Sequence, residues 1–256
     1  DIMRRPFWQR PIESFFEHYL SKYSTYYIAC SKNEQLLLEN KFGITPNKIV
    51  TIPNFVVSKT SISRPTKKYT FAILGRTSKD KRVDSVLRVA KQLNLLNKFI
   101  VIGDGAELIS LRKTFPEVRF TGHIENDLVS SLLLETKFIV SNSIIEGLPF
   151  AIIESMHVGV VPIISDIPAH HDLITGDQDG FFFKDESELK KILIKSTSLD
   201  TKTYNNYSKN AVEKIQLLSQ LSQMSFTNHF KIYGKRKENL SGSLWYLPAE
   251  RSGTRH

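Results

Sequence analysis

The stretch Ser143-Ile144-Ile145-Glu146-Gly147-Leu148-Pro149-Phe150-Ala151-Ile152-Ile153-Glu154, closed by Gly159, concentrates groups that bind polar ligands. A strand-like run at 138–141 leads into it, and Pro149 stands where a helix takes its first residue, a position whose amide is unpaired in any case. Gly159 marks the helix end. The amides of Gly147 to Ala151, Pro149 excepted, then face outward with the positive end of the helix dipole behind them. Such a helix start receives a phosphate or a sugar oxygen. Glu146 lies in the loop and Glu154 in the second helical turn, one on each side. Carboxylates beside an anion repel it unless they accept hydrogen bonds from hydroxyls, which the vicinal diols of a ribose and a sugar supply. The competing reading makes Glu146 a cap and Glu154 a solvated surface charge.

Three other clusters imitate ligand sites. Gly103-Asp104-Gly105-Ala106-Glu107-Leu108 begins like a dinucleotide fingerprint but lacks its third glycine. Asp177-Gln178-Asp179 has the form of a DxD metal motif, yet it lies between Gly176 and Gly180, a turn composition. His170-His171-Asp172 holds potential metal ligands, but adjacent residues on a helix diverge. A loop or helix-start role is expected for that trio.

The elements that must position these groups are legible as an alternation. Strand-like runs fall at 69–74, 99–102, 118–121, 138–141, 160–164 and 181–183. Val83, Val86, Leu87, Ala90 and Leu93 recur at helical spacing. Asn126 or Asp127 caps a helix through Leu128, Leu132 and Leu133, and Leu189, Ile192 and Leu193 mark another. This alternation predicts an α/β fold with a doubly wound, parallel, Rossmann-like sheet and extra helices at both ends. Ligands of such sheets bind beyond the carboxyl ends of the strands.

Before the sheet, the sequence reads as a helix, a short strand at 26–29, and a second helix capped by Ser31 or Asn33 and closed by Gly43. These elements are too few for a sheet and are expected to end a larger domain. The resulting division is 1–58, domain end and linker; 59–200, the sheet unit; 201–240, closing helices at 204–221 and 226–233; and 241–256, an aperiodic tail, disordered or appended.

With 256 residues, 41% of them hydrophobic, the chain holds enough for one sizeable core. No run reaches the roughly 18 apolar residues of a spanning helix, and Arg4, Arg5 and Arg10 interrupt any signal-like core. Cys30 is the single cysteine, so no intramolecular disulfide forms, and a reducing compartment fits. The net charge of +9 suits nucleic acid, an anionic membrane surface or a phosphorylated substrate. Zinc-finger spacing and RNP-like strands are absent, which sets nucleic acid aside. The sequence opens at Asp1 without an initiator methionine, so a fragment or processed chain is expected.

Taken in order, these motifs resemble the family-four retaining glycosyltransferases of the GT-B fold, which pair two Rossmann-like domains. Glu146 to Gly159 resembles that family's E-x7-E motif in its Glu-Gly-Leu-Pro form. Gly75-Arg76 with Lys81 resembles its phosphate-binding element, and Gly103-Asp104-Gly105 its glycine turn after the second strand. Phe120-Thr121-Gly122-His123-Ile124 resembles the segment beside the base, and Ile52-Pro53-Asn54 the tripeptide before the interdomain linker. The likeness covers roughly residues 26 to 235. Three positions depart from it: Arg82 stands where glycine is usual, Ser155 where alanine is, and Phe55 follows Asn54 in place of glycine.

The resemblance implies a site residue by residue. Glu146 would meet hydroxyls of the donor sugar and Glu154 the ribose diol. Arg76 and Lys81 would neutralise the departing diphosphate, which makes Glu146, Arg76 and Lys81 the implied catalytic set. Deleting one such donor typically loses about 10²- to 10³-fold in rate. Donor contacts would also come from Gly75, Gly103, Gly122, His123, Ile124, Ser143, Gly147, Leu148, Pro149 and Phe150. Plainer readings stand beside these: Arg76 paired with a surface carboxylate, Lys81 solvated in a polar turn, Ser143 capping the loop.

No metal and no cofactor are implied beyond the nucleotide diphosphate-sugar substrate. The implied reaction is retaining transfer to a glycan or lipid-linked acceptor in glycan or polysaccharide biosynthesis, with the acceptor met mainly by the facing N-terminal domain. The expected location is cytoplasmic. The positive charge with Phe7, Trp8, Phe15, Phe16 and Tyr19 allows peripheral contact with the inner membrane face. Packing inside the rest of the first domain would use the same aromatics. The rival reading is a non-catalytic nucleotide-sugar-binding subunit that needs a partner, and a more distant one is a GT-B epimerase or phosphorylase.

Overall fold

The computed structural model describes residues 26–54 and 66–237, with Tyr19, Tyr23 and Ser24 before them, and side chains as far as 227. In chain order the elements are β1 (Tyr27–Ala29), α1 (Lys32–Phe42), β2 (Ile49–Thr51), β3 (Tyr69–Leu74), α2 (Val83–Gln92), β4 (Phe99–Ile102), α3 (Leu108–Thr114), β5 (Arg119–Phe120), α4 (Asn126–Leu134), β6 (Thr136–Ser141), α5 (Phe150–His157), β7 (Val161–Ser165), α6 (Pro168–His171), β8 (Phe181–Phe183), α7 (Glu186–Ser198) and α8 (Thr201–Lys237). The expected first helix, residues 55–65 of the linker and the tail lie outside the described residues.

Strands β3 to β8 form one six-stranded sheet in the order β5-β4-β3-β6-β7-β8, and every neighbouring pair is parallel. A strand covered on both faces must be apolar throughout, and all four residues of β4 and all five of β7 are buried. The two-residue period sends Phe71, Phe99, Val101, Phe138, Val140, Val161 and Ile163 to one face, against Val83, Val86, Leu87 and Ala90 of α2 and Leu189 and Leu193 of α7. Ala72, Ile100, Ile102, Ile139 and Ile164 point the other way, against Ile152, Ile153 and Met156 of α5 and Ala211 and Ile215 of α8. The chain winds outward from β3 to β5, then crosses back to lay β6 on the free side of β3. The carboxyl ends of β3 and β6 therefore diverge into loops on either side of a crevice, the topological switch point of a doubly wound sheet.

The expected sheet and helices are present, with local differences. Strand β5 is two residues long, although Thr121 N–H still donates to Val101 O at 3.0 Å. Helix α4 is capped by Glu125 and not by Asn126 or Asp127: the extended backbone of Glu125 lets its carbonyl accept the first turn's amides, and no side-chain bond closes this end. Where two closing helices are expected, α8 is one helix of 37 residues. It contains no proline, and the polar interruption near Ser222 is absorbed because its buried hydroxyl donates to Leu218 O four residues back.

Residues 26–54 form a second, smaller unit. β1 and β2 pair in parallel, Ile28 opposite Val50, over a core of Ala29, Ile44 and Ile49. Ser31, not Asn33, caps α1, and Gly43 closes it at φ 65°. Among the described residues no helix is long and apolar enough to cross a membrane.

Candidate functional site

The loop leaving β3 is built by backbone contact. Gly75 N–H donates to Ile102 O, Thr77 N–H to Asp104 O and Glu107 N–H to Thr77 O, each at 3.0 Å. A Cβ at Gly103 would lie 2.1 Å from Gly75 O, and φ there is 132°, so this crossing admits only glycine. Gly103 also bridges to Gly122, which brings the ends of β3, β4 and β5 together. These ends surround an open cavity of about 620 Å³ lined by Gly75, Arg76, Gly103, Asp104, Gly105 and His123. Arg76 is exposed to it, and among the described residues no ion pair engages its guanidinium.

The same loop ends in a turn, Lys79–Lys81, and Arg82 enters α2 at φ 48° and ψ 41°. That left-handed conformation strains any side-chain-bearing residue, which gives a physical reason for the glycine usual at this place.

The loop leaving β6 is held mainly by side chains. Asn142 Nδ2 donates to Ser85 Oγ at 3.1 Å. Ser143 is buried, its carbonyl accepting from Ser165 Oγ at 2.7 Å. Ile144 N–H donates to Asp80 O at 3.0 Å, tying the two loops together. Next to that tie, Lys81 Nζ forms a hydrogen-bonded ion pair with Glu146 Oε1, with side chains 19% and 7% exposed. Lys81 is therefore engaged by the glutamate loop and not simply solvated. Leu148 and Pro149 are buried, Phe150 is exposed, and α5 begins. Pro149 serves as the cap, one position earlier than expected, because its ψ of 108° is still extended while its carbonyl already accepts from the amides of Ile152 and Ile153.

Glu154 sits in the second turn of α5, apart from both the cavity and the ion pair. It keeps solvent contact, and partial burial pushes its carboxyl pKa up. Ile124 packs on the second core and lines a different cavity of about 370 Å³ with Phe120 and Leu128. Gly75, Arg76, Gly103, Gly122 and His123 are thus gathered in one place, Lys81 and Glu146 in another, and Glu154 and Ile124 in neither.

One residue of this region escaped the sequence reading as a site component. His170, on α6 just beyond the carboxyl end of β7, is fully buried. Its Nδ1 lies 2.7 Å from Ser165 O, and a carbonyl only accepts, so Nδ1 carries the proton. Nε2 is a buried acceptor with no hydrogen-bond partner among the described residues. Burial lowers the pKa of this imidazole, against the Ser165 carbonyl, and the opposed charges of Glu146 and Lys81 both reach it. The position beyond a strand adjoining β6 was the available signal. His171 turns elsewhere, to Asp166 at 2.6 Å and onto the Phe182 ring. Asp177-Gln178-Asp179 forms a turn, with the Asp179 carboxylate accepting from the amides of Thr175 and Gly176.

Comparison with known proteins bears on this geometry. A family model described as glycosyl transferases group 1 matches residues 57–214. A UDP-Gal:alpha-D-GlcNAc-diphosphoundecaprenol alpha-1,3-galactosyltransferase of Escherichia coli is 24% identical over 230 residues, covering 80% of this chain and 59% of that protein. Among solved structures, a mutant of S. aureus TarM in complex with Fondaparinux, alpha-GlcNAc-glycerol and UDP is similar, with a TM-score of 0.71 at 19% identity, over 83% of this chain and 45% of that one. The pneumococcal O-GlcNAc transferase GtfA, in complex with UDP and GlcNAc, follows at 0.67 and 19%, over 86% and 47%. The lipopolysaccharide outer core galactosyltransferase WaaB, in its apo form, gives 0.65 and 20%, over 84% and 63%. The structural likenesses speak for the fold alone, that of GT-B glycosyltransferases.

Proposed function

This chain belongs to the glycosyl transferases group 1 family, and on that premise we propose that its sheet unit holds the nucleotide diphosphate-sugar donor of a retaining glycosyl transfer. The observation that carries the reading is the Lys81–Glu146 ion pair at the switch point, close to the cavity that Arg76 lines. It joins a cation for a diphosphate and a carboxylate for hydroxyls, drawn from the loops of two adjacent strands. The diphosphate lies between Arg76, Lys81 and the amides at the start of α5, and charge-assisted hydrogen bonds stabilise it as it departs. Lys81 exchanges its bond to Glu146 for one to phosphate. Glu146 then accepts from the sugar hydroxyls, and Glu154 from the ribose diol. The proposal includes no metal or cofactor, because two cations and a helix dipole supply the positive charge.

The donor named for the galactosyltransferase relative is UDP-Gal, and two of the similar structures hold UDP. These names support a uridine diphosphate sugar as the donor. The same relative's name supports a lipid-linked glycan acceptor, and with it polysaccharide biosynthesis in the cytoplasm at the inner membrane face. The chain's net charge of +9 suits such a surface. A second reading, a nucleotide-sugar-binding part that transfers only with a further domain, is favoured by one observation: the chain spans 59% of that relative's length.

The test is calorimetry with UDP, GDP, ADP and their sugars on the parent chain and two variants. Glu154→Gln weakens free UDP by about 10- to 100-fold, and Glu146→Gln weakens only the extra affinity of the UDP-sugar. Absence of binding by every nucleotide would end the donor-site reading, and the reverse pattern would exchange the two glutamates' roles. Where transfer proceeds, NMR of the product checks for a retained anomeric configuration.

A further inference from the structure

The loop that carries Glu146 is held in two halves by two parts of the chain. Its first half, Asn142 to Ile144, is tied to Ser85, Ser165 and Asp80, all within the sheet unit. Its second half is gripped from outside that unit. Asn54 Nδ2 donates to Leu148 O at 2.9 Å, across 94 residues of sequence. Among the described residues no other hydrogen bond to that carbonyl is formed, because the helix begins by using Pro149 O instead. On its amide side the loop packs against Cys30: a Cβ at Gly147 would stand 3.3 Å from Cys30 Sγ. Leu148 is 6% exposed, so water does not readily replace the Asn54 amide.

Cys30 and Asn54 reach the loop from equivalent places. Cys30 follows the last residue of β1, and Asn54 lies three residues past β2, with Ile52 N–H donating to Ala29 O between them at 2.8 Å. Residues just past the carboxyl ends of both strands of the small unit thus meet the loop at Gly147 and Leu148, within two residues of Glu146.

We propose that Asn54, with Cys30 packed beside Gly147, is a positioning residue for the donor sugar: by holding the Leu148 carbonyl it sets where the Glu146 carboxylate stands. This rests on the donor reading above and adds that the sugar arm of the site depends on the unit preceding the linker. Neither Asn54 nor Cys30 is among the residues that line the cavity around Arg76 and Gly103, the nucleotide arm of the proposed site. Loss of the grip therefore falls on recognition of the sugar and spares recognition of the nucleotide.

The experiment compares the full chain with Asn54→Ala and Asn54→Asp, the latter nearly isosteric but unable to donate when ionised. Calorimetry with UDP and with UDP-galactose gives the affinity ratio that isolates the sugar. Both variants are expected to bind UDP within about twofold of the parent and to lose about tenfold of the UDP-galactose advantage, the consequence of one unsatisfied carbonyl. A merely structural role would weaken both ligands together, and that result, or an unchanged ratio, overturns the proposal. Hydrogen exchange without ligand decides the grip separately: amides of residues 145–148 exchange faster in both variants than in the parent, while those around Gly75 and Gly103 do not. Unchanged exchange in 145–148 refutes the grip even where UDP binds. Faster exchange in the variants, when even the parent chain binds neither ligand, would mean that the grip is real and the donor reading has failed.

Discussion

The two loops that meet at the switch point are fixed by opposite means. The loop from Gly75 to Arg82 is closed by amides and carbonyls of its own and of the β4 turn. The loop from Asn142 to Pro149 has a backbone tie at Ile144 before its helix and is held besides by the side chains of Ser85, Ser165, Lys81 and Asn54. A backbone-closed loop is rigid and tolerates change in its side chains but none in its glycines. A loop held by side chains can exchange partners, which suits the proposed role of Glu146, whose carboxylate would release Lys81 to a bound diphosphate.

The sharpest break between the two lies in a methyl group. Gly103→Ala drives a Cβ against Gly75 O at 2.1 Å and is expected to destabilise the fold by about 3 kcal/mol or more, read by urea unfolding. A loss below about 1 kcal/mol would show that the first loop gives way as easily as the second.

Next in size is Lys81→Met, which removes the cation beside a Glu146 carboxylate that is 7% exposed, with an expected loss of about 1–3 kcal/mol. The double variant with Glu146→Gln should recover part of it, since a neutral amide has no need of the cation. Strict additivity in that cycle would mean that the pair contributes nothing to holding the loop.

A pH titration separates the regions further. His170 is held neutral by burial, whereas in the unfolded chain it protonates near pH 6.5. Its folded pKa is depressed, so stability falls as the pH drops below about 6.5, by at most about 1.4 kcal/mol per pH unit. His170→Asn keeps a donor for Ser165 O and removes that part of the slope. His157, also lowered by burial, leaves a remainder. Melting curves between pH 7.5 and 5.5 that are parallel for parent and variant would contradict the buried neutral imidazole.

The smallest effect is a gain. Arg82→Gly relieves the left-handed conformation at φ 48° and is expected to stabilise the first loop by about 0.5–1 kcal/mol, seen as a rise in Tm of roughly 2–4 °C. A fall in Tm would mean that the arginine side chain makes up for the strain.

What was legible in the sequence follows the same division. The strands of the large sheet could be read because burial on both faces leaves unbroken apolar runs such as Phe99 to Ile102. The glycines at 75, 103 and 122 marked the first loop because the constraint there is on the residue itself. The glutamate loop announced its two carboxylates but not its supports: Lys81 and Glu146 are 65 residues apart, and nothing local in Asn54 points to Leu148. His170 was hidden for a related reason: once the metal reading of His170-His171-Asp172 is set aside, nothing local tells which of the two rings the fold buries beside the site. The continuity of α8 was missed because a buried serine that bonds back along its own helix looks, in sequence, like a break.

The crossing of Gly75 and Gly103 has a consequence for how this cavity can diversify. With backbone against backbone, and a Cβ at Gly105 meeting Thr77 O at 2.6 Å, those wall positions are closed to variation whatever ligand is selected. Any change in what the cavity holds has to run through Arg76, Asp104 and His123, whose exposed side chains line the same space. A saturation library over Asp104 and His123 would therefore return many folded sequences, while one over 103 and 105 would return glycine. The rigidity of the wall makes its few open positions the whole vocabulary of ligand choice at this end of the crevice.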